Sequence, residues 1–243
     1  MGLNKDLVIS IEGSIKLVGT AHVSKDSVEL VKSEIEEWNP DIVAVELCDS
    51  RFKALSENRR LDKESLLKVI KEGKAPLIIA QSMLAAEQRK LGLNEDLQPG
   101  AELIEAISMA KEKKKDVALI DRDIQVTLRR AWKKMRFREK ISLLWSLVGQ
   151  EETDEEFDIK EILENKDLMT MMIDELKEVA PGAGTVLVDE RDEFLAHKIL
   201  QKSSSGKVLA VIGAGHLQGV KDHLNNLEKP NDARITSLSE IPK

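Results

Sequence analysis

Four short, mostly apolar runs constrain this chain more than any other feature. Residues 15–18, 42–45, 117–120 and 208–212 are built largely from valine, isoleucine, leucine and alanine, and each passes straight into a polar turn and a helix-like segment. Apolar runs of this length are expected where a strand is covered on both faces, as in parallel strands linked by helices. Two of the turns share one local phrase, Gly19-Thr20-Ala21-His22 and Gly213-Ala214-Gly215-His216. A strand that ends in such a turn exposes its last side chains at the carboxyl edge of the sheet, where ligands of open α/β folds bind. The two histidine motifs are therefore expected to be aimed at one place.

The 243 residues suffice for one large domain carrying an insertion. A hydrophobic fraction of 42% and a charged fraction of 33% describe a soluble globular chain, and no stretch approaches the roughly 20 apolar residues of a membrane-spanning helix. The opening Met1-Gly2-Leu3-Asn4-Lys5-Asp6 lacks the apolar core of a secretory leader. Cys48 is the single cysteine, so no internal disulfide can form and a cytoplasmic setting is expected. The net charge of −7 argues against general attraction to nucleic acid. Tyrosine is absent, which leaves acid–base and nucleophilic chemistry to His, Asp, Glu, Lys, Ser, Thr or Cys48.

Residues 7–11 and 15–18, separated by Glu12-Gly13-Ser14, read as a hairpin. A helix capped by Ser24 follows, with Val28, Val31 and Ile35 on its apolar stripe, and Asn39-Pro40-Asp41 ends it. Further helices are expected at 65–93, 100–110, 124–148, about 163–179 and 187–200. An acidic linker or helix start falls at 151–161, and Pro181-Gly182-Ala183-Gly184 is a break. Residues 234–238 have the pattern of an edge strand. The organisation expected is one domain over 1–243, an α/β fold with a mixed sheet flanked by helices and a helical insertion at about 124–184.

The strand ends collect His22, Glu46, Asp121 and His216, with Asp123 and Glu190 as further acids. Two imidazoles and a carboxylate suit a divalent metal and leave positions open for water and substrate. Each residue taken alone could equally cap a helix or satisfy backbone groups; four on separate strand ends favour a shared site. Arg51, Arg122 and Arg191 follow or accompany these acids, and could hold a substrate, steady an oxyanion or orient Glu46 and Asp121. Gly213, Gly215 and Gly219 miss the dinucleotide-binding spacing, so a phosphate role is weakly supported. Cys48 reads as a small core residue. His197 and His223 read as structural or exposed. The basic run from Arg129 to Lys140 could touch an anionic membrane or nucleic acid, but is expected to be a solvated helix face with Trp132 and Phe137 packed inward, against another helix or a second subunit.

The chain resembles the TraB/PrgY/GumN family, named in part for a bacterial pheromone-shutdown protein and related to the animal TIKI proteases. The resemblance covers nearly the whole chain and is closest to archaeal members. It rests on Gly19-Thr20-Ala21-His22-Val23-Ser24, on Pro40-Asp41-Ile42-Val43-Ala44-Val45-Glu46-Leu47-Cys48 with Arg51, and on Pro99-Gly100-Ala101-Glu102. Leu119-Ile120-Asp121-Arg122-Asp123-Ile124-Gln125-Val126-Thr127-Leu128, Glu190-Arg191-Asp192 and Val211-Ile212-Gly213-Ala214-Gly215-His216 complete it. It implies a mixed-sheet fold shared with erythromycin-esterase-like and ChaN-like proteins, with both histidines and the glutamate at one site. TIKI relatives are metal-dependent proteases using manganese or cobalt, esterase-like relatives use histidine and glutamate without metal, and ChaN-like relatives bind haem. Longer members continue into carboxyl-terminal membrane helices that this sequence lacks, so a cytoplasmic domain of a membrane-anchored protein is expected.

Together these readings point to a metal-dependent, peptidase-like hydrolase. His22, Glu46 and His216 would hold manganese or cobalt, or zinc where available. Glu46, Arg51, Asp121, Arg122, Glu190 and Arg191 would serve the reaction on a peptide or small-molecule substrate. A regulatory protein that sequesters a peptide pheromone without cleaving it is the alternative, and a metal-independent histidine/glutamate esterase is the third. Nucleic acid is not an expected partner, a homo-oligomer is compatible with the basic helix, and membrane contact is expected only through segments outside this chain.

Overall fold

The computed structural model describes residues 7–11, 13–20, 25–56, 100–141, 174, 177–178 and 180–242. Five strands are found among them: β1 (Val8–Ile11), β2 (Ile15–Thr20), β3 (Ile42–Val45), β4 (Asp116–Leu119) and β5 (Val208–Gly213). They form one sheet in the order β1-β2-β5-β3-β4. β1 and β2 are an antiparallel hairpin with Ile11 opposite Ile15, and every other pairing is parallel. The four apolar runs are thus the four parallel strands, and the chain is a mixed α/β protein.

Handedness explains the layers. From β2 the chain passes through α1 (Lys25–Trp38) to β3, then through α2 (Asp49–Ser56) and α3 (Ala101–Glu112) to β4, always moving one way across the sheet. Right-handed connections place α1 and α3 on the same face, where they pack together. After β4 comes α4 (Ile124–Lys134), and the chain then turns back toward the centre to reach β5. That reversal brings α5 (Glu190–Ser203) onto the other face, followed by α6 (Leu217–Asn226), which packs on α5 and on the hairpin. β5 is flanked by a strand on each side and a helical layer on each face, and all six of its residues are buried. Leu17, Val43, Leu209 and Ile212 share one apolar core with Ile35, Leu103, Leu195 and Ile199.

The reversal creates a switch point at the carboxyl end of β5, where neighbouring strands send their chains to opposite faces. The register there is tight. Thr20 pairs with Gly213 and Val45 with Val211, so the two Gly-x-x-His motifs leave adjacent strands at the same level. Gly19 leaves room at this level for the Leu217 side chain of α6, which a Cβ would displace.

Several elements differ from expectation. Residues 234–238 lie in a helix, α7 (Asp232–Ser239), rather than an edge strand. The Asn231 side chain accepts from the Arg234 amide at 3.0 Å, a capping bond that starts a helix, and Ile235 and Leu238 then fall on one face. The helix expected over 124–148 stops at Lys134, because Met135 is extended (φ −61°, ψ 136°), and residues 137–141 are helical again. Pro181–Gly184 is a helical turn rather than a break, running through a π-helical stretch, Thr185–Asp189, into α5. Trp132 and Phe137 do not pack inward: they are 49% and 75% exposed. The buried side of α4 is instead Thr127, Arg130 and Ala131. The expected helix at 65–93 and the acidic stretch at 151–161 lie outside the described residues.

Candidate functional site

Three strand ends and the start of α5 meet at the switch point. Glu46 follows β3, Asp121 lies two residues past β4 and His216 ends the 3₁₀ turn Ala214–His216 after β5, while Arg191 and Asp192 come from α5. Arg191 is the hub. Its Nη2 donates to Glu46 Oε1 at 2.5 Å and to Asp121 Oδ2 at 2.9 Å, its Nε reaches Asp121 Oδ1 at 3.3 Å, and its Nη1 lies 3.0 Å from His216 Nε2. The pairing with Asp121 is the two-pronged fork that a planar guanidinium makes with a carboxylate.

Each carboxylate is held from behind by the backbone. Glu46 Oε2 accepts the Gly213 amide at 2.7 Å, which ties the end of β3 to the end of β5. Asp121 Oδ1 accepts the Arg122 amide at 2.8 Å. The side chains of Glu46 and Asp121 are only 3% and 5% exposed, against 17% for Arg191 and 13% for His216. The imidazole and guanidinium therefore form the accessible layer, with the acids beneath. Burial works against the Arg191 charge, but Glu46 and Asp121 outweigh it and raise its proton affinity above the ordinary arginine value.

The hydrogen-bond roles of His216 follow from its neighbours. Arginine has only donors, so Arg191 Nη1 can bond to Nε2 only if that nitrogen offers its lone pair. The proton then sits on Nδ1, 2.5 Å from Asp192 Oδ1. In this arrangement Nε2 faces the Arg191 guanidinium and the Asp192 carboxylate steadies Nδ1. Burial raises the Asp192 carboxyl above the usual range, although the bond to His216 opposes this.

Other candidates lie outside this network. The Arg122 side chain points into the interior, where it donates to Glu190 Oε2 at 3.2 Å, Thr127 Oγ1 at 3.0 Å, and the carbonyls of Val186 and Leu238 at 3.1 Å each. Glu190 also accepts from Arg130 Nε at 2.8 Å, and Arg130 donates to the carbonyls of Ser237 and Glu240. Burial raises the Glu190 pKa, but hydrogen bonds from Arg130 and Arg122 prevail and hold the carboxyl below its usual range. This second cluster clamps the end of α7 and stands behind Arg191 by one residue. Asp123 caps α4 by accepting the Gln125 amide at 2.8 Å. Cys48 is buried, with its sulfur 3.2 Å from Ser50 Oγ. Arg51 is half-buried on α2, and none of the hydrogen bonds found among the described residues joins it to Arg191. His197 is buried on α5 and His223 lies on α6. His22 lies outside the described residues.

Sequence reasoning missed Asp192 and Arg130. Asp192 sits beside Arg191 in the acidic start of α5, and only the direction taken after the π-helical stretch turns it to His216. Arg130 belongs to a basic run that reads as solvated, yet it is buried. The signal that could have found it is its position one turn after Thr127 and next to Ala131, on the small-residue face of α4.

A divalent metal was expected at His22, Glu46 and His216. Among the described residues no three His, Cys, Asp or Glu side chains are arranged to hold one. The Arg191 guanidinium bonds to Glu46 and Asp121 and lies 3.0 Å from His216 Nε2. His22, the third expected ligand, lies outside the described residues, and of the expected set Glu46 and His216 are brought to Arg191.

The sequence profile of the TraB/PrgY/gumN family matches residues 8–232, from the first strand of the hairpin to the start of α7. The chain belongs to that family. An uncharacterised protein of Methanocaldococcus jannaschii is 39% identical over 236 residues, covering 96% of this chain and 58% of its own length. The human TraB domain-containing protein is 28% identical over 261 residues, covering 97% of this chain and 68% of its own length, and the bovine one is 28% identical over 262 residues with 98% and 68% covered. The TraB chain described here thus spans a little over half of the archaeal relative's length. Glu46, Asp121, Arg191, Asp192 and His216 all fall within the matched segment.

Proposed function

We propose that this TraB domain is a hydrolase of carboxylic esters or amides in which His216 acts as general base. The observation that supports this reading is the placement of His216 between Asp192 and Arg191, at 2.5 Å and 3.0 Å. Asp192 fixes the tautomer and would steady the imidazolium that forms when Nε2 takes a proton from water. Arg191, kept cationic by Glu46 and Asp121, would give its Nη1 hydrogen bond to the substrate carbonyl oxygen as negative charge develops there. That exchange frees the Nε2 lone pair for the attacking water. Glu46 and Asp121 are positioning residues in this scheme, and Arg122 and Glu190 hold the segment that carries Arg191.

The purified chain should be assayed on nitrophenyl acyl esters and on a peptide library, with and without chelator. Turnover is expected to persist in chelator, and His216→Ala or Asp192→Asn to lower it by about 10²–10⁴-fold, with Cys48→Ala as a neutral control. Loss of turnover in chelator, restored by manganese or cobalt, would overturn the metal-free scheme in favour of a metal site that displaces Arg191. Saturable peptide binding without turnover would favour the sequestering protein.

A further inference from the structure

Large hydrophobic side chains that remain exposed among the described residues are Trp132 at 49%, Phe137 at 75%, Ile141 at 39% and Ile241 at 39%. They are gathered rather than scattered. Three lie within ten residues on and just past α4, and the fourth adjoins Pro242, whose carbonyl accepts from Lys133 Nζ at 2.5 Å. Around them stand the exposed cations Arg129, Lys133, Lys134, Arg136 and Arg138. Between residues 129 and 141 the sole acid is Glu139, which is buried and accepts the Gly182 amide at 2.9 Å. Lys140 Nζ stands 5.1 Å from the centre of the Trp132 ring, a cation on the ring face. In a chain of net charge −7 this concentration of positive and apolar surface is a local departure.

We infer that this surface, Trp132, Phe137 and Ile141 set among Arg129, Lys133, Lys134, Arg136 and Arg138, docks the domain on an anionic phospholipid surface. Lipid answers both halves of its chemistry. Headgroup phosphates and carboxylates take the cations, whose long stems let the charges stay at headgroup level while the apolar side chains enter the acyl boundary. A nucleic acid would satisfy the cations and leave Phe137, Ile141 and Ile241 in water. A second copy of this chain would bring five cations against five. The inference is independent of the hydrolase reading, since none of the hydrogen bonds or ion pairs found among the described residues joins this surface to Arg191 or His216.

Flotation of the whole chain with vesicles of phosphatidylcholine plus phosphatidylserine, against phosphatidylcholine alone, tests it. Binding is expected only to the anionic vesicles, released by high salt, and accompanied by a blue shift in tryptophan fluorescence that Trp132→Phe removes. Each cation removed should weaken binding roughly fivefold, so the Arg136→Glu, Arg138→Glu double variant should lose at least about 25-fold. Phe137→Ser should weaken binding and leave the melting temperature unchanged. The proposal falls if the chain ignores anionic vesicles or binds neutral ones equally well. It also falls if Phe137→Ser lowers the melting temperature, which would mean the ring is packed, if that variant dissolves a dimer seen by light scattering, or if duplex nucleic acid outcompetes the vesicles.

Discussion

Gly219 of α6 approaches Asp192 of α5 so closely that a single added methyl group would overlap Asp192 Oδ2. The other oxygen of that carboxylate is the one 2.5 Å from His216 Nδ1. The packing of two helices on one face of the sheet is therefore coupled to the orientation of an imidazole at the end of its central strand. Gly219→Ala is expected to destabilise the domain by about 1–3 kcal/mol through overpacking, and to reduce turnover by displacing Asp192. The double variant Gly219→Ala, Asp192→Ala should recover stability and not activity. Denaturant unfolding and ester hydrolysis measured on the same samples would check both halves.

Removing the hub should cost more than removing a rim residue. Arg191→Met removes the guanidinium that Glu46 and Asp121 share, and a loss of about 3–5 kcal/mol is expected for breaking a buried ion pair by removing one side of it. Adding Glu46→Gln and Asp121→Asn to Arg191→Met should restore much of it, because the like charges go as well. A triple variant no more stable than Arg191→Met would show that Arg191 matters for packing rather than charge.

His197 gives the fold an acid limit. It is buried on α5, and its Nδ1 accepts the Asn231 amide at 3.3 Å at the start of α7, a bond that requires that nitrogen to be unprotonated. Burial lowers its pKa below the ordinary histidine value of 6.5, with nearby Glu193 opposing and His223 and Arg234 assisting. A folded-state pKa below the unfolded one means that the unfolded chain binds more protons between the two values. Its contribution is fully present above about pH 6.5 and is lost as the pH falls through the folded value. Melting temperature measured downward from pH 7 should decline over that window, and His197→Gln should flatten the decline. An unchanged profile would place the acid limit elsewhere.

How much of this was legible in the sequence depends on the range of the interaction involved. The strands could be read because their apolar runs record burial on both faces, a local pattern, and the helix after β2 could be read from its spacing. Glu46, Asp121 and His216 could be nominated for one place because a strand that ends in a turn has one edge to deliver to, and Arg191 only through its acidic neighbours. α7 could not, since its few apolar residues fit alternation and helical spacing alike and the Asn231 cap decided between them.

What the sequence determined by itself was therefore the sheet, the edge at which the chemistry-bearing residues collect, and the family. Tertiary structure alone decided their partners. Arg191 became the cation between Glu46 and Asp121, Asp192 rather than another acid became the partner of His216, and Arg122 and Glu190 were drawn into a separate interior cluster with Arg130. Local pattern fixes which way a backbone runs and which face it buries. The partner of a charged side chain is chosen by which opposite charge the fold brings within about 3 Å, and by which of them are kept from water strongly enough to need one.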